Sequence, residues 1–340
     1  MGRKTRQNKL TSPELLAQIN PENLALINDF LVYLRSTQHS ETTIAGYKND
    51  LEIWAVYCLQ NCGNKHFTKM TKREIVKYQD WLLNNNENSP ARVRRMKSAL
   101  SSMSNYVADI LDDEFEDFKP IVQKVKSPPN KLVREKEVWE PEEFEALLRQ
   151  LTESGEYKKA CLVALAVYSG RRKSELPRFK VSYFDEENVI YGSLYKTPEP
   201  ILTKGMGGGK MLTCYTLKKE FKPYFDLWMA ERERLGIESE WLFPDKNDTS
   251  KPMPANTINS WANTFTRMTG KYWYPHACRH AFTTHLAKSG IPDDVIQKIL
   301  GWSNISLVQV YKDIDAEDEF GKYFSDGEII AQEKTSLQDL

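Results

Sequence analysis

The sequence predicts a mainly α-helical protein of two domains, with a small antiparallel β-sheet confined to the second. Three observations carry that expectation. Apolar residues recur at spacings of three and four through most of the chain, the period of a helix that buries one face. A polar strap bearing two adjacent prolines interrupts the pattern over residues 111–137, which divides the chain. One stretch, 183–217, changes to β-branched and aromatic residues around a Gly-rich turn, the signature of short paired strands. At 340 residues, 40% hydrophobic and 28% charged, the chain is long enough for two buried cores, and wholesale disorder is excluded.

Residues 1–21 form a basic N-terminal extension, and a helical domain is expected over 22–115. Its first helix covers about 22–36. In the next, Ile44, Tyr47, Leu51, Trp54 and Cys58 line one face. A third covers 70–84. In the fourth, Val93, Met96, Leu100, Met103, Val107 and Ile110 repeat the stripe while Arg92 and Arg95 fall off it, so one face packs and the other is cationic. No strand is expected here. Residues 116–137 read as a linker. The second domain, 138–320, opens with the helix PEEFEALLRQLTES and a nearly all-apolar, buried helix, KKACLVALAVYSG. The sheet region follows, and then helices over 219–235, 254–269, 276–289, 292–300 and 305–314. Residues 321–340 remain as an acidic tail.

Charge is uninformative as a total, 47 Lys+Arg against 47 Asp+Glu, and informative in its distribution. From Asp313 to the C-terminus nine acids face two bases, so residues 1–312 carry a net +7. Within them, residues 65–97 hold nine bases and three acids, a candidate phosphate-binding face. Its members Lys69, Arg92, Arg94, Arg95 and Lys97 are the candidate phosphate-contacting residues, with an ordinary solvated surface as the alternative. Five scattered cysteines fit free thiols in a reducing compartment. The basic start lacks the apolar stretch of a signal peptide, and no apolar run approaches the ~20 residues that span a bilayer. A cytosolic or nuclear location is therefore expected, with no membrane partner.

Chemistry concentrates in YPHACRHAFTTHLAKSG. Pro275 suits the first turn of a helix, which sets His276, Arg279 and His280 on one face. Zinc is the first rival, because His276 and His280 have ligand spacing. Ala277, however, stands where a metalloprotease helix carries its general-base Glu, and no Cys-x-x-Cys adds ligands, so no metal is expected. A second rival is an amphipathic helix with satisfied core histidines. Against it stand SGRRKSEL upstream, with Gly170, Arg172, Glu175 and Leu176 in register, Lys204 within ILTKGMGGGKM, and LGWSNISLVQVYKDI downstream, where Trp302 precedes Tyr311 by nine residues.

Together, from about residue 22 to 315, these motifs resemble the tyrosine recombinase (phage integrase) family. The resemblance implies a two-domain DNA clamp: a helical, SAM-like core-binding domain followed by a catalytic domain. It implies an enzyme that cleaves and rejoins DNA through a 3′-phosphotyrosyl intermediate, without a metal or any cofactor. Tyr311 matches the nucleophile, whose phenol has an unperturbed pKa of about 10 and so needs a base and a cationic surround. Arg172 and Arg279 match the arginines that grip the scissile phosphate. His276 matches the acid–base partner, and Lys204 the lysine that protonates the leaving 5′ oxygen, with Lys196 and Lys210 as competitors. Trp302 stands where most members carry a second histidine, and its indole N–H still offers a hydrogen bond. Glu175 matches an acidic position that orients the active-site bases. Arg171 competes with Arg172, but the register favours Arg172, which is expected to be anchored in the domain interior.

The expected partners are a specific double-stranded DNA site and three further copies in a homotetramer spanning two sites, with a directionality factor as an accessory. Phe320, Tyr323, Phe324, Ile329 and Ile330 make the tail a candidate trans-docking segment. The short N-terminal extension favours a simple Cre-like or Xer-like organisation. The competing readings are a telomere resolvase or type IB topoisomerase, which share the cleavage chemistry, and a non-catalytic DNA-binding regulator.

Overall fold

The computed structural model describes residues 10–129, 138–203, 209–311, 324–325 and 328–329, with backbone alone from residue 309 onward. Apart from residues 209–210, these residues fall into two compact units that divide between 129 and 138.

The N-terminal unit is entirely helical among the described residues. It comprises α1 (Pro13–Leu16), α2 (Pro21–Ser36), α3 (Glu41–Asn61), α4 (Lys72–Asp80) and α5 (Pro90–Ile110). Local sequence explains the starts. Ser12, Asn20, Ser40, Thr71 and Ser89 each cap a helix by accepting a first-turn N–H, and Pro13, Pro21 and Pro90 occupy first-turn positions where no N–H is missed. Thr71 and Glu74 form a reciprocal capping box. After Asp80 the helix widens into a π turn, Trp81–Asn85, which ends α4 earlier than the periodicity of 70–84 predicts. The stripes read from the sequence form one core: Leu51 and Trp54 of α3 meet Val93, Met96, Leu100, Met103 and Val107 of α5. Ile110, the last member of its stripe, is exposed at the helix end.

The strap is less independent than its composition suggests. Val122 and Val125 are buried in this same core, and Lys97 of α5 donates to Val125 O and Ser127 Oγ. Arg94 Nη1 reaches Pro128 O at 3.0 Å.

The C-terminal unit is built around α7 (Tyr157–Ser169), buried along most of its length. Against it pack α6 (Pro141–Glu153), α8 (Lys218–Arg234) and α10 (Pro275–Lys288), with α9 (Thr257–Thr269) beside α6. Residues 176–188 form three short 3-10 turns, so the sheet begins at 189 and not at 183: the four-residue turn Val181–Phe184 carries Tyr183 and Phe184 into the core without strand pairing. Strands β1 (Val189–Ile190), β2 (Leu194–Lys196) and β5 (Tyr215–Leu217) form an antiparallel sheet in which Tyr195 opposes Thr216 and Lys196 opposes Tyr215. Strands β3 (Ile201–Thr203) and β4 (Lys210–Leu212) pair separately. The chain ends in α11 (Asp293–Leu300), α12 (Ser306–Tyr311) and the paired strands β6 (Phe324–Ser325) and β7 (Glu328–Ile329). A satellite core of Phe282, Leu286, Ile296, Leu300, Trp302 and Val308 joins α10, α11 and α12. No helix among the described residues is long and apolar enough to cross a membrane.

Candidate active site

The site assembles where α7 stops. Gly170 ends the helix in the left-handed conformation, φ 61°, which glycine adopts without strain. A Cβ there would lie 2.5 Å from Phe282 Cδ1 and 2.9 Å from Leu300 Cδ2, so α10 and α11 close directly over this turn. Two guanidinium groups hold the closure. Arg171, 0% exposed, donates from Nε to Ser169 O at 3.0 Å, from Nη2 to Ile299 O at 2.8 Å and from Nη1 to Cys214 Sγ at 3.3 Å. Arg279, 1% exposed, donates from Nη1 to Gly170 O at 2.8 Å and from Nη2 to Leu300 O at 3.0 Å.

Arg172 sits differently from the sequence expectation. It is Arg171 that is sunk in the interior; Arg172 is partly exposed, with a quarter of its side chain open to solvent. The reason is the tight turn after Gly170, which sends consecutive side chains to opposite sides. Arg172 is held by Glu175, 0% exposed, whose Oε1 accepts from Arg172 Nη1 at 3.1 Å and whose Oε2 accepts the Arg172 backbone N–H at 3.0 Å.

Three guanidinium groups and one carboxylate thus gather in one corner. Burial pushes the Cys214 thiol up, and Arg171, which donates to its sulfur, opposes that shift. Buried cations in excess over carboxylates are costly unless an anion completes the site, and guanidinium forks match phosphate oxygens.

The remaining candidates lie around this corner. Pro275 begins α10 as expected, and His276 is exposed in its first turn, one turn ahead of Arg279. Trp302, 5% exposed, stacks on Arg279, whose Cζ lies 4.8 Å from the indole centroid. Tyr311 is the last residue of α12; its side chain lies outside the described residues, as does Lys204. Lys196 and Lys210 are both exposed, on β2 and at the start of β4. Among the described residues no three His, Cys, Asp or Glu side chains gather as metal ligands.

On the N-terminal unit, Lys69, Arg94 and Arg95 are exposed, Arg92 is partly so, and Lys97 is buried. The structure gives Lys97 a different task from the expected phosphate contact. Its ammonium is turned inward to the strap, and burial, with Arg94 nearby, lowers its pKa. Asp50, 2% exposed, takes Arg95 through Nε at 2.9 Å and Nη2 at 2.8 Å, with Arg92 Nη2 at 3.8 Å. Sequence reading missed this carboxylate, although an acid beside Leu51 on an otherwise apolar stripe, facing an arginine-rich helix, was the signal.

Comparison with known proteins accords with this arrangement. The model of the phage integrase family matches residues 137–318, and that of the phage integrase N-terminal SAM-like domain matches residues 26–117. The SPbeta prophage-derived recombinase-like protein YomM of Bacillus subtilis is 25% identical over 279 residues, 79% of this chain and 80% of its own. A tyrosine recombinase of Thermosipho africanus is 22% identical over 305 residues, 87% of this chain and 96% of its own. Among solved structures, the Tn1549 transposon integrase in complex with circular intermediate DNA superposes with a TM-score of 0.62 at 18% identity, covering 88% of this chain and 99% of that one. A lambda integrase dimer bound to a COC′ core site gives a TM-score of 0.62 at 15% identity, covering 85% and 95%. These likenesses carry the fold: mostly helical, with small sheets and an N-terminal core-binding domain. The chain belongs to the phage integrase family of tyrosine recombinases, a class of DNA strand-transferring enzymes.

Proposed function

We propose that this protein is a site-specific DNA recombinase in which Tyr311 attacks the scissile phosphodiester. The phenolic oxygen forms a bond to phosphorus as the bond to the 5′ oxygen breaks. The phenol proton passes to a base, for which His276 is suited, and the leaving oxygen takes a proton from Lys204. A 5′-hydroxyl of the partner strand then gives its proton to Lys204, attacks the 3′-phosphotyrosyl ester and reseals the backbone, while His276 returns the phenol proton to Tyr311. Arg172 and Arg279 stabilise the charge that builds on the non-bridging oxygens, where one preorganised donor is worth about 3 kcal/mol of barrier. Glu175 sets the orientation of Arg172.

The observation that carries this reading is the bond from Arg279 to Gly170 O. It fixes one guanidinium two residues from Arg172, so that a phosphate can be gripped from two sides by groups already in position. The relatives named above as recombinases, and the Tn1549 integrase in complex with circular intermediate DNA, support double-stranded DNA as the partner. The exposed α5 arginines and Lys69 supply phosphate contacts, which makes binding steeply salt-dependent. Four protomers act on two sites, the acidic tail reaches a neighbouring copy, and reaction proceeds in the cytoplasm, with a directionality factor biasing its outcome.

Sizing the products of one-site, two-site and hairpin-forming substrates tests the assignment. Reciprocal exchange between two sites is expected. Relaxation of one-site DNA alone, or closed hairpin ends, would replace recombinase by topoisomerase or telomere resolvase. Specific binding without any cleavage would leave a regulator.

A further inference from the structure

We propose that Trp302 is a positioning residue that acts through the face of its ring on Arg279, rather than through its indole N–H on the phosphate. The proposal rests on the recombinase reading for its catalytic consequence, and on the geometry alone for the stacking.

Arg279 and Arg172 are held by opposite means. Arg172 is held by the Glu175 carboxylate, which cancels part of its charge. Arg279 bonds to two carbonyls, Gly170 O and Leu300 O, and lies against the Trp302 ring with Cζ 4.8 Å from the centroid. Carbonyl bonds made in the guanidinium plane fix position but resist tilting out of that plane poorly. The Trp302 ring beneath Cζ supplies that resistance, and its negative quadrupole steadies the cation. Both groups are almost wholly buried, and a cation–π contact is strongest where water is excluded.

The ring is itself rigidly mounted. Trp302 N–H donates to Gln297 O at 3.0 Å and Gly301 N–H to Lys298 O at 3.2 Å, a Schellman turn that ends α11. Gln297 Nε2 returns a bond to Trp302 O at 3.1 Å. Gly301 is left-handed, φ 66°, and a Cβ there would lie 2.4 Å from Leu212 Cδ2, so β4 packs directly on the turn. A histidine in place of Trp302 would keep an N–H donor but offer a smaller face, and when protonated it would set a second cation against Arg279.

The test compares Trp302→Phe, Trp302→His and Trp302→Ala in the full chain. Single-turnover formation of the covalent adduct on saturating nicked duplex should slow about thirtyfold in Trp302→Ala and Trp302→His, the rate equivalent of a lost desolvated cation–π contact. Trp302→Phe should recover most of that loss, and DNA affinity should change little in any of them. A fast Trp302→His with a slow Trp302→Phe would overturn the proposal in favour of N–H donation, as would equal rates throughout. Should Trp302→Ala not fold, the Phe and His pair decides alone. The second readout needs no activity: the 15N-correlated Nε–H resonance of Arg279, assigned by its loss in Arg279→Lys, should show a ring-current shift in wild type and Trp302→Phe that Trp302→His diminishes. Absence of that shift in wild type overturns the stacking, whereas a shifted resonance in a protein that forms no adduct refutes only the recombinase reading.

Discussion

Arg171 and Arg172 are adjacent, identical in chemistry and opposite in predicted role, which makes exchanging their substitutions the sharpest test of the site's construction. Arg171→Met removes the donors to Ser169 O and Ile299 O. A buried carbonyl left without its donor costs about 1–3 kcal/mol. Part of that is returned because a fully buried guanidinium no longer has to be kept from water. A net loss of about 2–4 kcal/mol follows, and with about 2–4 °C per kcal/mol for a domain of this size, melting should fall by about 5–15 °C. Arg172→Lys keeps a cation opposite Glu175, so melting should move by less than about 3 °C. It loses the planar fork, and adduct formation should slow at least about a hundredfold at unchanged DNA affinity. Differential scanning fluorimetry and single-turnover adduct assays on the same preparations measure both. An Arg171→Met protein that melts like wild type, or an Arg172→Lys protein that cleaves like wild type, would refute the division of labour.

Other outcomes follow from the same geometry. Gly301→Ala places a methyl on Leu212 in a left-handed backbone, and should lower melting by about 5–10 °C, from strain and overpacking of about 2–3 kcal/mol together. Lys69→Ala should reduce the slope of log affinity against log salt by about one phosphate contact, while Lys97→Met leaves that slope unchanged and instead loosens the strap, seen as faster proteolysis near residues 121–128. Deleting residues 321–340 should spare binding to one site and impair four-protomer assembly in sedimentation; undiminished assembly would remove the tail from the interface. Chelators should leave adduct formation unchanged, because the guanidinium groups supply the transition-state charge that a metal would otherwise provide.

The helices were legible because each buries one face and most are punctuated locally: the 3–4 stripe on α5 and its Ser89–Pro90 start both point to the same 21 residues. The sheet was legible in kind but not in extent, since Tyr183 and Phe184 have strand-like composition and are buried by 3-10 turns instead. The motif residues stood out because their spacing is set by chemistry. Which of two adjacent arginines goes inside was not readable, because it depends on the sharp turn at Gly170 and on carbonyls that α11 brings from more than a hundred residues away. Lys97 was misjudged for a related reason. A lysine on a cationic helix looks like a phosphate ligand until the partner segment that folds back over it, Val125 to Ser127, is known.

The central claim, that Tyr311 is the nucleophile of a metal-free strand transferase, is tested most directly by incubating wild type and Tyr311→Phe with a nicked suicide duplex carrying the native site. Wild type should yield a denaturant-resistant adduct joined through the 3′ phosphate, and Tyr311→Phe should bind the same duplex and yield none. An adduct in Tyr311→Phe, or its absence from wild type bound to the site, would contradict the account.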